Sequence, residues 1–199
     1  DSATIAATLQ LIETRFDCES TVVFTDAEFR DDVMFSSTTD ESVPYAQHSL
    51  NFSGATFRSA LSFGGGDSTT QTEHAEREEP RFDVVFAGDV DFSNVTFPDG
   101  VDFSATRFPA DADFTGAILE DADFSDADVT GTDDISAASF DGANLTGANF
   151  TRATLAGASF ERSRLSRAKL HESDFSGTKL YGALLGDARI NRGTEIWLD

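Results

Sequence analysis

The sequence has 199 residues, enough for one domain with a sizeable core, and its hydrophobic content of 39% excludes a disordered tail. Its formal net charge of -22, from 36 acidic and 14 basic residues, argues against direct binding to nucleic acid. No apolar run approaches the roughly 20 residues that a membrane helix needs, and Cys18, the only cysteine, excludes an intrachain disulfide.

The finer composition is uneven. There are 19 Phe but one Trp, two Tyr and one Met. Phe is the large side chain with no polar atom to satisfy, which suits repeated burial in a closed core. Lysine occurs only at Lys169 and Lys179, and most of the acid is Asp. Dense surface carboxylates with little lysine fit a salt-adapted protein, in which concentrated salt screens their mutual repulsion. The rival reading of the same acidity is imitation of nucleic acid.

Residues 1–20 carry Ile5, Leu9 and Ile12 at partly helical spacing and are expected to form an N-terminal cap. From Thr21 a large apolar residue returns at intervals of five or six, as Phe24, Phe29 and Phe35, then Phe52, Phe57 and Phe63. Two polar stretches, 36–47 with Pro44 and 64–80 rich in Gly, Thr and Glu, read as projecting loops. The rhythm resumes at Phe86, Phe92, Phe97, Phe103, Phe108 and Phe114, with the extra residues falling at Pro98-Asp99-Gly100 and Pro109-Ala110, which is turn chemistry. Leu119, Phe124 and Val129 keep period five, and one extra residue near Asp133 and Asp134 puts the next centre at Ile135. From Phe140 to Ile190 the period is unbroken, with a small residue two before each centre, from Ala138 to Ala188. Residues 191–199, with Ile196, Trp197 and Leu198, are expected to cap the other end of a repeat domain spanning 21–190.

Period five fits neither regular element. On an α-helix a step of five turns the side chain by roughly 140°, which smears the apolar residues around the circumference. On a straight strand five is odd, so successive centres point to opposite faces. A coil that turns a corner within each unit keeps them together. The centre and the small residue two before it then face inward, and four such sides close one coil that stacks on the next.

The segments Ala143-Asn144-Leu145-Thr146-Gly147, Ala148-Asn149-Phe150 and Ala122-Asp123-Phe124-Ser125-Asp126 resemble the motif of the pentapeptide-repeat family. That resemblance implies an all-β fold, a right-handed quadrilateral β-helix solenoid, here with two projecting loops and short terminal caps. It also implies a protein that works by contact with other proteins. Some members of the family resemble a DNA duplex in width and charge and bind gyrase in its place.

The residue before each centre points outward. Counting sides in fours makes positions about 21 residues apart equivalent, which predicts one column of Asp91, Asp113, Asp134, Thr154 and Asp174 and another of Asp102, Asp123, Asn144 and Arg164. The charge is lopsided: residues 1–150 hold 30 acids and 6 bases, residues 151–199 hold 6 acids and 8 bases. The candidate interaction surface is therefore Asp91, Asp102, Asp113 and Asp123 at the acidic end, with Arg152, Arg162, Arg164, Arg167 and Lys169 at the basic end. The less acidic C-terminal end is also where a homodimer is expected.

Catalytic chemistry has no foothold in the pattern. His48, His74 and His171 are far apart, and no Cys/His spacing suggests zinc. Gly64-Gly65-Gly66-Asp67 lacks the Lys-Ser/Thr of a phosphate loop. The pairs Asp121/Asp123 and Asp126/Asp128 fall on solvent positions without a calcium-loop pattern. The expectation is a non-catalytic, cytoplasmic protein-interaction scaffold with no cofactor and no membrane segment in this stretch of chain, segments beyond either end being left open. A DNA-mimicking regulator of gyrase or topoisomerase is the alternative.

Overall fold

The computed structural model of the chain describes residues 4–5, 9–12, 22–30, 33–36, 50–58, 61–63, 84–86, 89–108, 111–130, 137–191 and 193–196. These residues contain only short strands, turns and bridges, and no helix. Every strand pair is parallel. Ser36, expected to begin the loop at 36–47, is the last residue of the strand Val33–Ser36; the rest of that loop, the loop expected at 64–80, and the projected positions Asp134 and Ile135 lie outside the described residues.

Stacked coils bring outward residues into four columns, one per side. Side I runs Val23, Asn51, Asp91, Asp113, Ser139, Ser159, Lys179. Side II runs Thr4, Glu28, Thr56, Thr96, Ile118, Asn144, Arg164, Leu184. Side III contains Asp102, Asp123, Asn149, Lys169 and Arg189, and side IV runs Val85, Arg107, Asp128, Thr154, Asp174, Glu195.

One repeat shows why the sequence takes this shape. In 122–126 the Ala122 N–H donates to Leu119 O at 3.3 Å and closes the preceding corner. Asp123 N donates to Val101 O in one neighbouring coil at 2.8 Å. Phe124 N and Asp126 N donate to Asn149 O and Thr151 O in the other, at 2.7 and 2.9 Å. Ser125 N donates to Asp123 Oδ1 at 2.8 Å. All five backbone donors are satisfied, as a closely stacked coil demands.

The regular corner places a left-handed residue two after the centre, the pattern of a type II turn; at Phe97, with its extra residue, Gly100 takes that conformation three after. Gly142, Gly147 and Gly157 supply it without strain, and Asp121, Asp126, Arg152, Arg162 and Arg167 adopt it with φ between 55° and 62°.

Inside, the centres stack in columns. On side I, Phe24, Phe52, Phe92, Phe114, Phe140 and Phe160 lie ring on ring, with centroids 4.8–5.3 Å apart and interplanar angles of 2–11°. Rings from adjacent columns meet edge to face, as Phe124 and Phe140 do at 5.6 Å and 86°. Both geometries suit the aromatic quadrupole. The small residues Ala112, Ala122, Ala138, Ala148 and Ala158 are buried beside them, at the position that Leu50, Val90 and Val101 take in earlier coils.

Two expectations need correcting. The partly helical spacing read in residues 1–20 does not produce a helix at Thr4–Ile5 and Leu9–Ile12: they are strands that pair with Glu28–Phe29 and Val33–Ser36 and extend the ladder. At the other end Glu195–Ile196 pairs with Asp174–Phe175, so the register also enters the expected C-terminal cap.

The second correction concerns the columns. Ala138 N donates to Val129 O at 3.2 Å, the bond that elsewhere joins residues three apart. The frame therefore jumps by six residues between Val129 and Ala138, so that Asp113 bridges Ser139 and Asp123 bridges Asn149. Thr154 and Asp174 belong to side IV above Asp128, and Asn144 and Arg164 belong to side II above Ile118. The pairings Asp91–Asp113 and Asp102–Asp123 stand as expected.

Candidate functional site

The acidic residues of the expected surface have a structural duty. Oδ1 of Asp91, Asp102, Asp113 and Asp123 each accepts the N–H two residues on, from Ser93, Ser104, Thr115 and Ser125, at 2.8–2.9 Å. Asp128 and Asp174 do the same for Thr130 and Ser176. This is the Asx turn, whose side-chain oxygen accepts the corner N–H that no backbone carbonyl reaches. Asp and Asn followed two positions later by Ser or Thr was a legible signal of this role, and charge alone did not reveal it.

Between coils, Asn relieves the carboxylate stack. Asn51 Nδ2 donates to Asp91 Oδ2 at 3.0 Å, and Asn149 Nδ2 donates to Asp123 Oδ1 at 3.1 Å. Asp91 on Asp113 and Asp102 on Asp123 have no such donor between them. Asp121, Asp123, Asp126 and Asp128 are split among two corners and two sides, and among the described residues no group of His, Cys, Asp or Glu is arranged to hold a metal.

The basic residues are dispersed around the last coils. Arg152 occupies the corner between sides III and IV, where it forms a two-pronged pair with Asp126, its Nε 2.6 Å from Oδ1. The Asp126 carboxylate raises the Arg152 pKa above its ordinary value. Near the other end, Arg58 and then Arg30 hold the Glu28 carboxyl below the usual range by hydrogen bonding. Arg107 pairs with Asp128 at 3.2 Å.

Arg162 lies at the corner between sides I and II, Arg164 on side II, Arg167 at the corner between sides II and III, and Lys169 on side III. Arg162, Arg164, Arg167, Lys169, Lys179 and Arg189 have no acidic partner within 4.0 Å among the described residues. Side II next to Arg164 is also apolar: Leu184 is 54% exposed and Tyr181, beside Arg162, is 75% exposed. The two apolar side chains were not singled out from the sequence, because Leu184 directly precedes the centre Leu185 and reads as part of the repeat. No helix among the described residues is long and apolar enough to cross a membrane.

Solved structures of similar proteins include a pentapeptide repeat protein from Nostoc Pcc 7120, 30% identical over 47% of this chain and 71% of that one, with a TM-score of 0.41. Another comes from the Arabidopsis thaliana thylakoid lumen, 32% identical over 48% of this chain and 59% of that one, with a TM-score of 0.41. QnrB1, a plasmid-mediated fluoroquinolone resistance protein, aligns over 96% of this chain and 91% of its own at 14% identity and a TM-score of 0.37. None of the functionally curated proteins matches the chain. Two family models, both described as pentapeptide repeats, match residues 82–128 and, in overlapping copies, 110–147, 134–167 and 148–187. Those matches cover more than half of the 199 residues and coincide with the bridged columns, so the chain belongs to the pentapeptide-repeat family, the right-handed quadrilateral β-helices.

Proposed function

We propose that this chain is a non-catalytic, salt-adapted scaffold that docks another protein on side II of its last two coils. The carrying observation is the conjunction of exposed Tyr181 and Leu184 with Arg162, Arg164 and Arg167, which have no acidic partner within 4.0 Å among the described residues. Tyr and Arg are the residues enriched at interface hot spots, and a β-helix face presents them without loss of backbone freedom. The interior is filled by stacked rings, so binding falls to the outer faces. The partner's matching surface carries carboxylates around an apolar patch.

The test is affinity capture from a salt-adapted lysate at its working salt, comparing the native chain with Arg164→Glu/Leu184→Asp and with Asp113→Asn. The expected result is a discrete protein set held by the native chain and by Asp113→Asn, and lost from the side II variant. An unchanged set on the side II variant overturns this assignment.

A second reading, mimicry of DNA toward gyrase, is favoured by one observation. Stacked carboxylates stand on opposed sides of the same two coils, Asp91 over Asp113 on side I and Asp102 over Asp123 on side III. Gyrase supercoiling titrated with this protein decides it. Inhibition at low micromolar protein, lost when these four become Asn, supports mimicry. No effect at a large molar excess rejects it.

A further inference from the structure

We propose that side III is a self-recognition surface, through which two copies of this chain pair antiparallel and side by side about a two-fold axis at Asn149. The outward column on this side reads Asp102, Asp123, Asn149, Lys169, Arg189 in consecutive bridged coils. Two acids, an amide and two bases follow one another at one rung per coil, spaced by ~4.8 Å. Such a column is its own complement when reversed. Asp102 meets Arg189, Asp123 meets Lys169, and Asn149 meets the partner's Asn149, an uncharged pair that sets no like charges together.

The symmetry argument fixes both direction and register. Two faces packed together by a two-fold axis must have that axis in the plane between them. An axis along the solenoid sets Asp102 on Asp102 and Lys169 on Lys169, which like charge forbids. An axis across it reverses the column. Centred on Asn149, the reversed column makes four opposite-charge pairs, and a shift of one coil in either direction halves that number.

The other sides lack this property. Reversing side IV about Thr154 sets Asp128 on Asp174, and reversing side II about Asn144 sets Ile118 on Arg164. On side I, reversal about Ser139 sets Asp91 on Lys179 but leaves Asp113 against Ser159, half the opposite-charge pairs of side III. The charges of side III are available. Asp102, Lys169 and Arg189 are exposed, and neither base has an acidic partner within 4.0 Å among the described residues. Asn149 already donates to Asp123 at 3.1 Å, which holds the central two rungs of the column in place. This contact lies on the flank, and the homodimer expected at the C-terminal end is a competing outcome.

The test is sedimentation equilibrium of the full purified chain, at the lowest salt that leaves its far-UV circular dichroism unchanged, so it is independent of any other partner. A reversible dimer is expected that weakens as salt rises. Lys169→Asp/Arg189→Asp leaves four acids around Asn149 and no base in the column, and weakens the dimer by roughly 10- to 100-fold, from four exposed pairs. Asp102→Asn/Asp123→Asn keeps the corner acceptors, removes the same pairs and weakens the dimer in the same sense. Disulfide trapping in a Cys18→Ser background reads the geometry. Asn149→Cys couples to itself, and Asp102→Cys couples to Arg189→Cys in a mixture but not to itself. A strictly monomeric native chain, a dimer indifferent to both charge variants, or preferential self-coupling of Asp102→Cys or of Leu184→Cys at the end overturns the proposal.

Discussion

Gly142 and Gly147 occupy the same place in successive corners, at φ of 67° and 78°, and differ in what surrounds them. A Cβ on Gly142 meets nothing within 4 Å, whereas one on Gly147 meets the Asp121 carboxylate. Gly142→Ala therefore isolates the cost of a left-handed L-residue, about 1 kcal/mol. Gly147→Ala costs more, because the Asp121 side chain must also move. Urea denaturation of the two variants checks this order; equal losses, or a larger loss at Gly142, contradict it. Arg152, Arg162 and Arg167 already bear that backbone cost in the native chain.

Between coils the decisive group is the outward Asp or Asn. Asp113 accepts from Thr115 N at 2.8 Å and sits next to Asp91 with no donor between the two carboxylates. Asn149 over Asp123 shows the relaxed arrangement, one amide serving both the corner and the neighbouring coil. Asp113→Asn should therefore raise stability by about 0.5–1 kcal/mol, through one new hydrogen bond and one lost repulsion. Asp113→Ala loses the corner acceptor and should lower it by about 1 kcal/mol. The pair separates charge from turn-making, and denaturation midpoints of opposite sign are the expected readout. Two midpoints shifted alike would return the Asp column to a purely electrostatic role.

Across the whole molecule, 30 of the 36 acids fall in the first 150 residues, so repulsion concentrates in the N-terminal and middle coils. Residues 151–199, with 6 acids and 8 bases, are near neutral and hold the cations that lack an acidic partner among the described residues. The melting temperature should rise from low to molar salt as screening shortens the range of that repulsion. A melting temperature indifferent to salt contradicts salt adaptation. The same asymmetry makes the two ends of side III opposite in sign, which is what an antiparallel pair of copies exploits.

The sequence by itself determined the coil. Eleven unbroken centres from Phe140 to Ile190, each with a small residue two before it, admit no helix and no flat strand; the inward set they define is buried from Ala138 to Phe175, whereas the last centres Leu185 and Ile190, at the end of the stack, are exposed. It also determined the pairings Asp91–Asp113 and Asp102–Asp123, where the intervening spacing is nearly regular. What the tertiary structure alone decided is which side a residue occupies beyond Val129. A period of five is unchanged when one whole repeat is added or removed, so one extra residue before a further side and six extra residues at a corner look alike in the sequence. The bond from Ala138 N to Val129 O and the bridges Asp113–Ser139 and Asp123–Asn149 distinguish them. It moves Asn149 and Lys169 above Asp123, and Arg164 away to the side of Leu184, and so sets both candidate surfaces. The roles of Leu184 and Tyr181 were hidden for a related reason: exposure belongs to the end of a stack, and the local pattern is the same in every coil.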